Sequence, residues 1–239
     1  MNLFIDIETV PSQQPLALTD AAAGVRPPGT LKKPESIAAW WAAEAPGAAQ
    51  EAWLKQSLDG GTKGEIVSVA VTDGEGREWA HCRARGESEA SLLMRFIEVV
   101  EDWTFQDAAK ACGHSSAWPI DDHRCVAHNA AFDLGFLWRR MAVCFVRIPK
   151  WLPSPAARPG KAYGCTMLAW SGFGKFIGLD ALCGALGVPS PKSDGGMDGS
   201  KVFGAWQSGE YEAIAQYNLM DARAVASVWH RLAAVGAGV

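Results

Sequence analysis

"LFIDIETVP", Leu3 to Pro11, decides the reading of this chain. Leu3, Phe4, Ile5 and Ile7 give it the apolar content of a buried strand, yet Asp6 and Glu8 interrupt it. In a strand, residues two apart face the same side, so Asp6 and Glu8 project together while Ile5 and Ile7 project to the other face. Two like charges side by side raise each other's pKa and oppose burial unless a cation or a donor network lies between them. An isolated D-x-E on a half-exposed strand is commonplace. Its meaning depends on whether further acids follow in a suitable context.

Around this strand the sequence predicts an α/β domain. "GEIVSVAVTDGEGREWAHCRA" gives two strands, Ile66 to Thr72 and Arg77 to Arg83, joined by the turn Asp73-Gly74-Glu75-Gly76. Ser88 is placed to cap a helix running to about Trp103, with Leu92, Leu93, Phe96, Ile97 and Val100 at helical spacing. "RCVAHN" predicts a short strand. "NAAFDLGFLWRRM" predicts a helix that starts at Asn129 and carries Phe132, Phe136, Leu137 and Met141 on one face. Glu210 to Ala234 is alanine-rich and helical in pattern. The expectation is one domain over residues 1–239 with a mixed central sheet flanked by helices. Residues 15–61, rich in Ala, Pro and Trp, form a helical insertion with Trp40, Trp41 and Trp53 as packing anchors.

Length and composition agree with this scheme. The chain has 239 residues and 49% hydrophobic content, enough for a sizeable core. No apolar run reaches the length of a membrane span, and the start lacks a secretory pattern. Six scattered cysteines without a C-x-x-C pair suit free thiols, so a cytoplasmic location is expected. A net charge of −4 argues against coating duplex DNA, which requires neutralising many phosphates. It leaves room for an enzyme that grips one strand end, because metal ions in an acidic site reverse the local sign.

Two further acids stand in suggestive places. Asp133 in "AHNAAFDLGFL" falls near the start of a helix that follows a strand; taken alone, that placement is accounted for by about 0.3–1 kcal/mol of helix-dipole stabilisation. In "YNLMDARAV", Tyr217 and Asp221 are four apart and share a helix face.

Taken in order, Asp6-x-Glu8 in a first strand, Asn129-x-x-Phe132-Asp133 at a helix start and Tyr217-x-x-x-Asp221 in a C-terminal helix resemble the three motifs of the DEDD, or DnaQ-like, 3′–5′ exonucleases. The resemblance is to the tyrosine branch. In the histidine branch a His lies five residues before the last Asp, where this chain has Gln216. "GMDGSKV" also resembles the predicted exonucleases related to the proofreading domain of family B DNA polymerases. Asn218 and Ala222 stand where that family often has an acid or Cys and a Val.

The resemblance implies a ribonuclease H-like fold and a metal-dependent exonuclease. Such an enzyme releases nucleoside 5′-monophosphates from the 3′ end of single-stranded DNA, with two divalent ions, Mg²⁺ or Mn²⁺, held by Asp6, Glu8, Asp133 and Asp221. It further implies that Tyr217 orients the attacking water, and that the backbone at Thr9 and Val10, with Asn129 and Phe132, seats the 3′ terminus. Lys192 and Lys201 are candidates for phosphate contact. An exoribonuclease acting on short RNA ends and a catalytically silent nucleic-acid-binding module of the same fold are the rival readings; DNA is favoured over RNA, and any proofreading is expected in trans.

Two other patterns stand apart. "SGFGKF" and "DGGMDGSK" look like phosphate-binding loops but do not fit G-x-x-x-x-G-K-[ST]. Cys112, His114, His123 and Cys125 form a C-x-H and H-x-C pair that could close a zinc site, though at an uncommon spacing.

Overall fold

The structure, a computed structural model, describes residues 1–112, 124–191 and 197–237. Strand β1 (Asn2–Val10) is the central strand of a five-stranded sheet whose others are β2 (Glu65–Thr72), β3 (Glu78–Cys82), β4 (Arg124–Ala127) and β5 (Gly164–Cys165), in the order β3-β2-β1-β4-β5. β1 pairs antiparallel with β2, and β2 with β3; β1 and β4, then β4 and β5, are parallel. This mixed sheet flanked by helices is a ribonuclease H-like α/β fold.

The hairpin forms where Gly and Asp demand it. Asp73 accepts hydrogen bonds from the backbone N–H of Glu75 (2.8 Å) and Arg77 (3.0 Å), closing the turn between β2 and β3. Helix α4 (Glu89–Cys112) begins after Ser88, whose Oγ accepts from the Ser91 backbone N–H at 3.1 Å, and runs nine residues beyond Trp103. After β4 the chain turns at Asn129 into α5 (Ala130–Val143).

Leu3, Ile5 and Ile7 enter the larger core with Leu92, Phe96 and Val100 of α4 and Leu134, Phe136 and Met141 of α5. The opposite face of the sheet is covered by α9 (Tyr211–Ala234), which crosses it obliquely. Ile214 and Tyr217 pack near Val10, Leu219 and Ala222 on Ala70, and Val225, Ala226 and Trp229 on Phe4 and Val126. Asp6 and Glu8 therefore lie on the α9 face, between two apolar contacts that hold the helix down.

Between β1 and β2 the chain forms α1 (Ala17–Gly24), α2 (Pro34–Ala43), α3 (Ala45–Leu54) and a 3₁₀ turn at Lys55–Leu58. Trp53 anchors this segment: its Nε1 donates to the Ser12 carbonyl at 2.9 Å, and its ring meets Phe203 edge to face at 5.4 Å. Trp40 and Trp41 meet each other edge to face, and Trp41 stays exposed. The remaining helices are α6 (Thr166–Ser171), α7 (Leu179–Leu186) and α8 (Val202–Ser208). No helix among the described residues is long and apolar enough to cross a membrane.

Two buried ion pairs close the lower end of β2. Arg140 of α5 donates from Nε (3.0 Å) and Nη2 (2.7 Å) to Glu89, which also accepts from the Ile66 backbone N–H at 2.8 Å. Arg83 reaches Glu65 at 2.6 Å and the Ile66 carbonyl at 2.9 Å. Each buried charge is thereby both paired and hydrogen-bonded, the condition under which burial is tolerated.

Candidate active site

Three elements bring the acids together. β1 contributes Asp6 and Glu8 on one face, and α9 lays Asp221 over them. Each of the three offers a carboxylate oxygen, all within 4.8 Å of one another. Asp133 adjoins this group without entering it: its charge acts on both Asp6 and Glu8. It can approach because β4 leaves the ladder early. The β1–β4 register ends at Phe4 opposite Val126, so beside Asp6 the sheet gives way to the first turn of α5.

A bulge refines the placement of Glu8. The β1–β2 register passes from Glu8 opposite Ser68 to Thr9 opposite Ile66, leaving Val67 as the extra residue. Val67 packs on the α9 side, while Ile66 and Val69 belong to the other core. Thr9 is fixed from outside the sheet, its Oγ1 donating to the Ser57 carbonyl at 2.7 Å.

The electrostatics are those of buried like charges held close together. Burial first, then Asp221, Asp133 and Glu8, push the Asp6 carboxyl well above the usual carboxylate range. Burial, then Asp221 and Asp133, do the same to Glu8. Asp133 is pushed up to about 8, chiefly by burial, against hydrogen bonds from its own backbone N–H and that of Asn129 that favour its charged form. Tyr217 donates to Asp221, and burial together with the charges of Asp221, Glu8 and Asp6 drives its phenol far above its ordinary value. Convergent acids with oxygen ligands and no His or Cys among them fit a hard divalent cation, Mg²⁺ or Mn²⁺, better than Zn²⁺.

The other expected site residues divide. Asn129 stands at the start of α5, its carbonyl accepting from the N–H groups of Phe132 (2.8 Å) and Asp133 (3.2 Å). Phe132 is partly buried and packs on Phe136 at 5.4 Å. Val10 has its side chain fully buried in the α8–α9 core, which leaves only its backbone for a ligand. Gln216 is exposed and bonds Glu212 at 2.9 Å, so the position that the histidine branch uses points away from the acids. Lys201 is exposed and pairs with Asp198 at 3.2 Å. Lys192 lies outside the described residues.

For the C-x-H and H-x-C pattern, Cys125 is fully buried, its thiol donates to the Trp151 carbonyl at 3.4 Å, and burial pushes its pKa up to about 12. That places it in the core rather than in a ligand set. His114, His123 and the side chain of Cys112 lie outside the described residues.

Two features escape sequence reasoning. His128, next to Asn129, bonds the Ile177 carbonyl through Nε2 at 2.8 Å and Thr166 Oγ1 through Nδ1 at 2.9 Å. Burial lowers its pKa, so the neutral ring donates from Nε2 and accepts at Nδ1. Its only sequence signal is its place in "AHN". The second is Ser68, across the ladder from Glu8, and Asn218, beside Tyr217. Both are fully buried, and among the described residues no hydrogen-bond partner meets the Ser68 hydroxyl or the Asn218 amide.

Residues 166–238 match the sequence model of a family described as a predicted 3′-5′ exonuclease related to the exonuclease domain of PolB. The matched segment carries Tyr217 and Asp221, whereas Asp6, Glu8 and Asp133 precede it. With the ribonuclease H-like fold, the match supports the DnaQ-like resemblance. No curated protein matches the chain.

Proposed function

We propose that this protein is a metal-dependent exonuclease of the tyrosine DEDD branch, hydrolysing phosphodiester bonds from the 3′ end of single-stranded DNA and releasing nucleoside 5′-monophosphates. The observation that carries this reading is the convergence of Asp6, Glu8 and Asp221 oxygens within 4.8 Å on one face of the sheet, with Asp133 acting on the same charges. Four acids so placed suit two divalent cations, Mg²⁺ or Mn²⁺. When bound, such ions offset the carboxylates, make water a nucleophile at neutral pH and stabilise charge on the leaving oxygen.

The chain's own residues do the rest. Asp6, Glu8 and Asp221 hold the cations on the α9 face, and Asp133 completes the set from α5. Tyr217 stays protonated and acts as a hydrogen-bonding group that orients the attacking water. With its pKa raised rather than lowered, it is unsuited to serve as the base. The backbone of Thr9 and Val10, with Asn129 and Phe132, seats the terminal sugar.

The test is incubation of 5′-labelled single-stranded DNA with Mg²⁺ or Mn²⁺, using wild type and Asp6→Ala. A ladder shortened from the 3′ end, absent with chelator and in the variant, is the expected result. Failure of the wild type to shorten either DNA or RNA would sink the reading.

A further inference from the structure

The segment that leads from the end of α6 to α7, "SGFGKFI" at Ser171–Ile177, has no part in the acid cluster, and only Ile177 of it packs against the core. Phe173 is 84% exposed and Phe176 82%, and Trp170 just before them is 46% exposed. Single exposed apolar residues need no explanation, but three aromatic rings within seven residues, with Lys175 among them, form a patch. Lys175 makes no ion pair among the described residues.

The backbone presents these rings on purpose-built geometry. Helix α6 stops where the Gly172 N–H donates to the Leu168 carbonyl at 2.9 Å, and Gly172 and Gly174 both adopt φ +74°. A side chain at either glycine is strained in that region, so the two glycines hold Phe173 in a tight outward turn. The loop is also tethered to the site. His128 grips Thr166 at the start of α6 and the carbonyl of Ile177 just after Phe176, and it directly precedes Asn129 and the turn that carries Asp133. One neutral imidazole thus ties the start of α6 and the residue after Phe176 to the turn that begins α5.

We propose that Trp170, Phe173 and Phe176, with Lys175, form a stacking platform for the unpaired bases of a single strand whose 3′ end lies in the acid cluster. This rests on the exonuclease reading for the identity of the strand. Every base has a π-face, so exposed rings grip a strand without regard to sequence, and a cation between them meets the phosphate that links two stacked bases. A protein partner is less well matched. Interface cores deplete lysine and favour contiguous apolar surface, whereas here glycines and Lys175 separate the rings.

Anisotropy of 5′-fluorescein-labelled (dT)12 with Ca²⁺ in place of Mg²⁺ tests this on the full chain. It compares wild type, Phe173→Ala/Phe176→Ala and Phe173→Tyr/Phe176→Tyr. Hydrolysis of thymidine 5′-monophosphate p-nitrophenyl ester with Mn²⁺ runs alongside, as a substrate with no upstream base to stack. The alanine pair is expected to weaken (dT)12 binding by at least about tenfold, the tyrosine pair to stay within about threefold of wild type, and ester hydrolysis to be unchanged in both. The proposal falls if the alanine pair binds (dT)12 like wild type, if wild type does not bind it, if tyrosine fails to restore binding, or if ester hydrolysis drops in parallel. It also falls if the alanine pair only abolishes self-association. Should wild type bind (dT)12 but hydrolyse neither the ester nor (dT)12 with Mn²⁺, the exonuclease reading fails alone, and the binding comparison still decides the platform.

Discussion

The phenol of Tyr217 donates a hydrogen bond to the carboxylate of Asp221, one turn further along α9. The same helix face thus supplies one carboxylate of the acid cluster and a neutral donor beside it. Tyr217→Phe deletes the donor and keeps the ring that packs with Val10 and Ile214. The expected result is a loss of about 10- to 100-fold in kcat with little change in Mn²⁺ affinity. Because burial, the first cause of its raised pKa, persists when cations offset the acids, the phenol keeps its proton in the assay and the pH profile should keep its shape in the variant. A lost alkaline limb in Tyr217→Phe would assign the tyrosine a base role instead.

The acid cluster should also govern stability. Asp133 has a folded pKa of about 8 against an ordinary value near 4, so between those values the folded state holds a proton that the unfolded state has released. Stability of the metal-free protein therefore falls as pH rises through that window, with this group contributing at most about 1.4 kcal/mol per pH unit. Asp133→Asn removes this group's share of the dependence and leaves that of Asp6 and Glu8, whose carboxyls are raised too. In chelator the variant's melting temperature should exceed that of wild type at pH 8 and converge with it near pH 4, as read by a thermal melt at each pH. Mn²⁺ should raise the wild-type value at pH 8 and leave Asp6→Asn nearly unmoved; equal gains in both proteins would place the cation elsewhere.

The Glu89–Arg140 pair gives a third expectation. Arg140→Met leaves Glu89 buried with the Ile66 N–H and the Cys144 thiol as its partners among the described residues, which should cost about 3–5 kcal/mol in urea unfolding. Pairing it with Glu89→Leu should recover much of that loss, because the unpaired charge goes too. If Arg140→Met alone costs under about 1 kcal/mol, the pair is not the closure of β2 described above.

What could be read in advance follows from where the information is local. Period-two and period-3.6 patterns placed β1, the hairpin and the flanking helices, since each buries one face of a self-contained run. β5 has only two residues, and α6 and α8 are short, too little for any periodicity to register. Asp6 and Glu8 were legible as a pair because a strand puts them on one side. Their convergence with Asp221 depends on α9 crossing the sheet, and the approach of Asp133 depends on β4 ending at Ala127; neither fact is local. The buried pairs of Glu65 with Arg83 and Glu89 with Arg140 have no local signal, because sequence shows the charge and not the partner. The role of His128 was hidden for the same reason, since Thr166 and Ile177 are distant in the chain.

Gly164 gives the last expectation, and it concerns the edge of the sheet. A Cβ at this position would lie 2.5 Å from both Cη2 and Cζ3 of Trp229 and 3.0 Å from Val126 Cγ2. Trp229 cannot swing aside freely: its ring packs with Phe4 and Val126, and the Arg124 guanidinium lies 5.0 Å above it. Gly164→Ala must therefore displace the indole or part β5 from β4, at a cost of about 1–3 kcal/mol. Trp229→Leu removes the obstructing atoms while opening a cavity, so the two changes together should cost clearly less than the sum of each alone. A thermodynamic cycle by urea denaturation checks this. Additive losses would mean that Gly164 is needed for its backbone rather than for the closeness of Trp229.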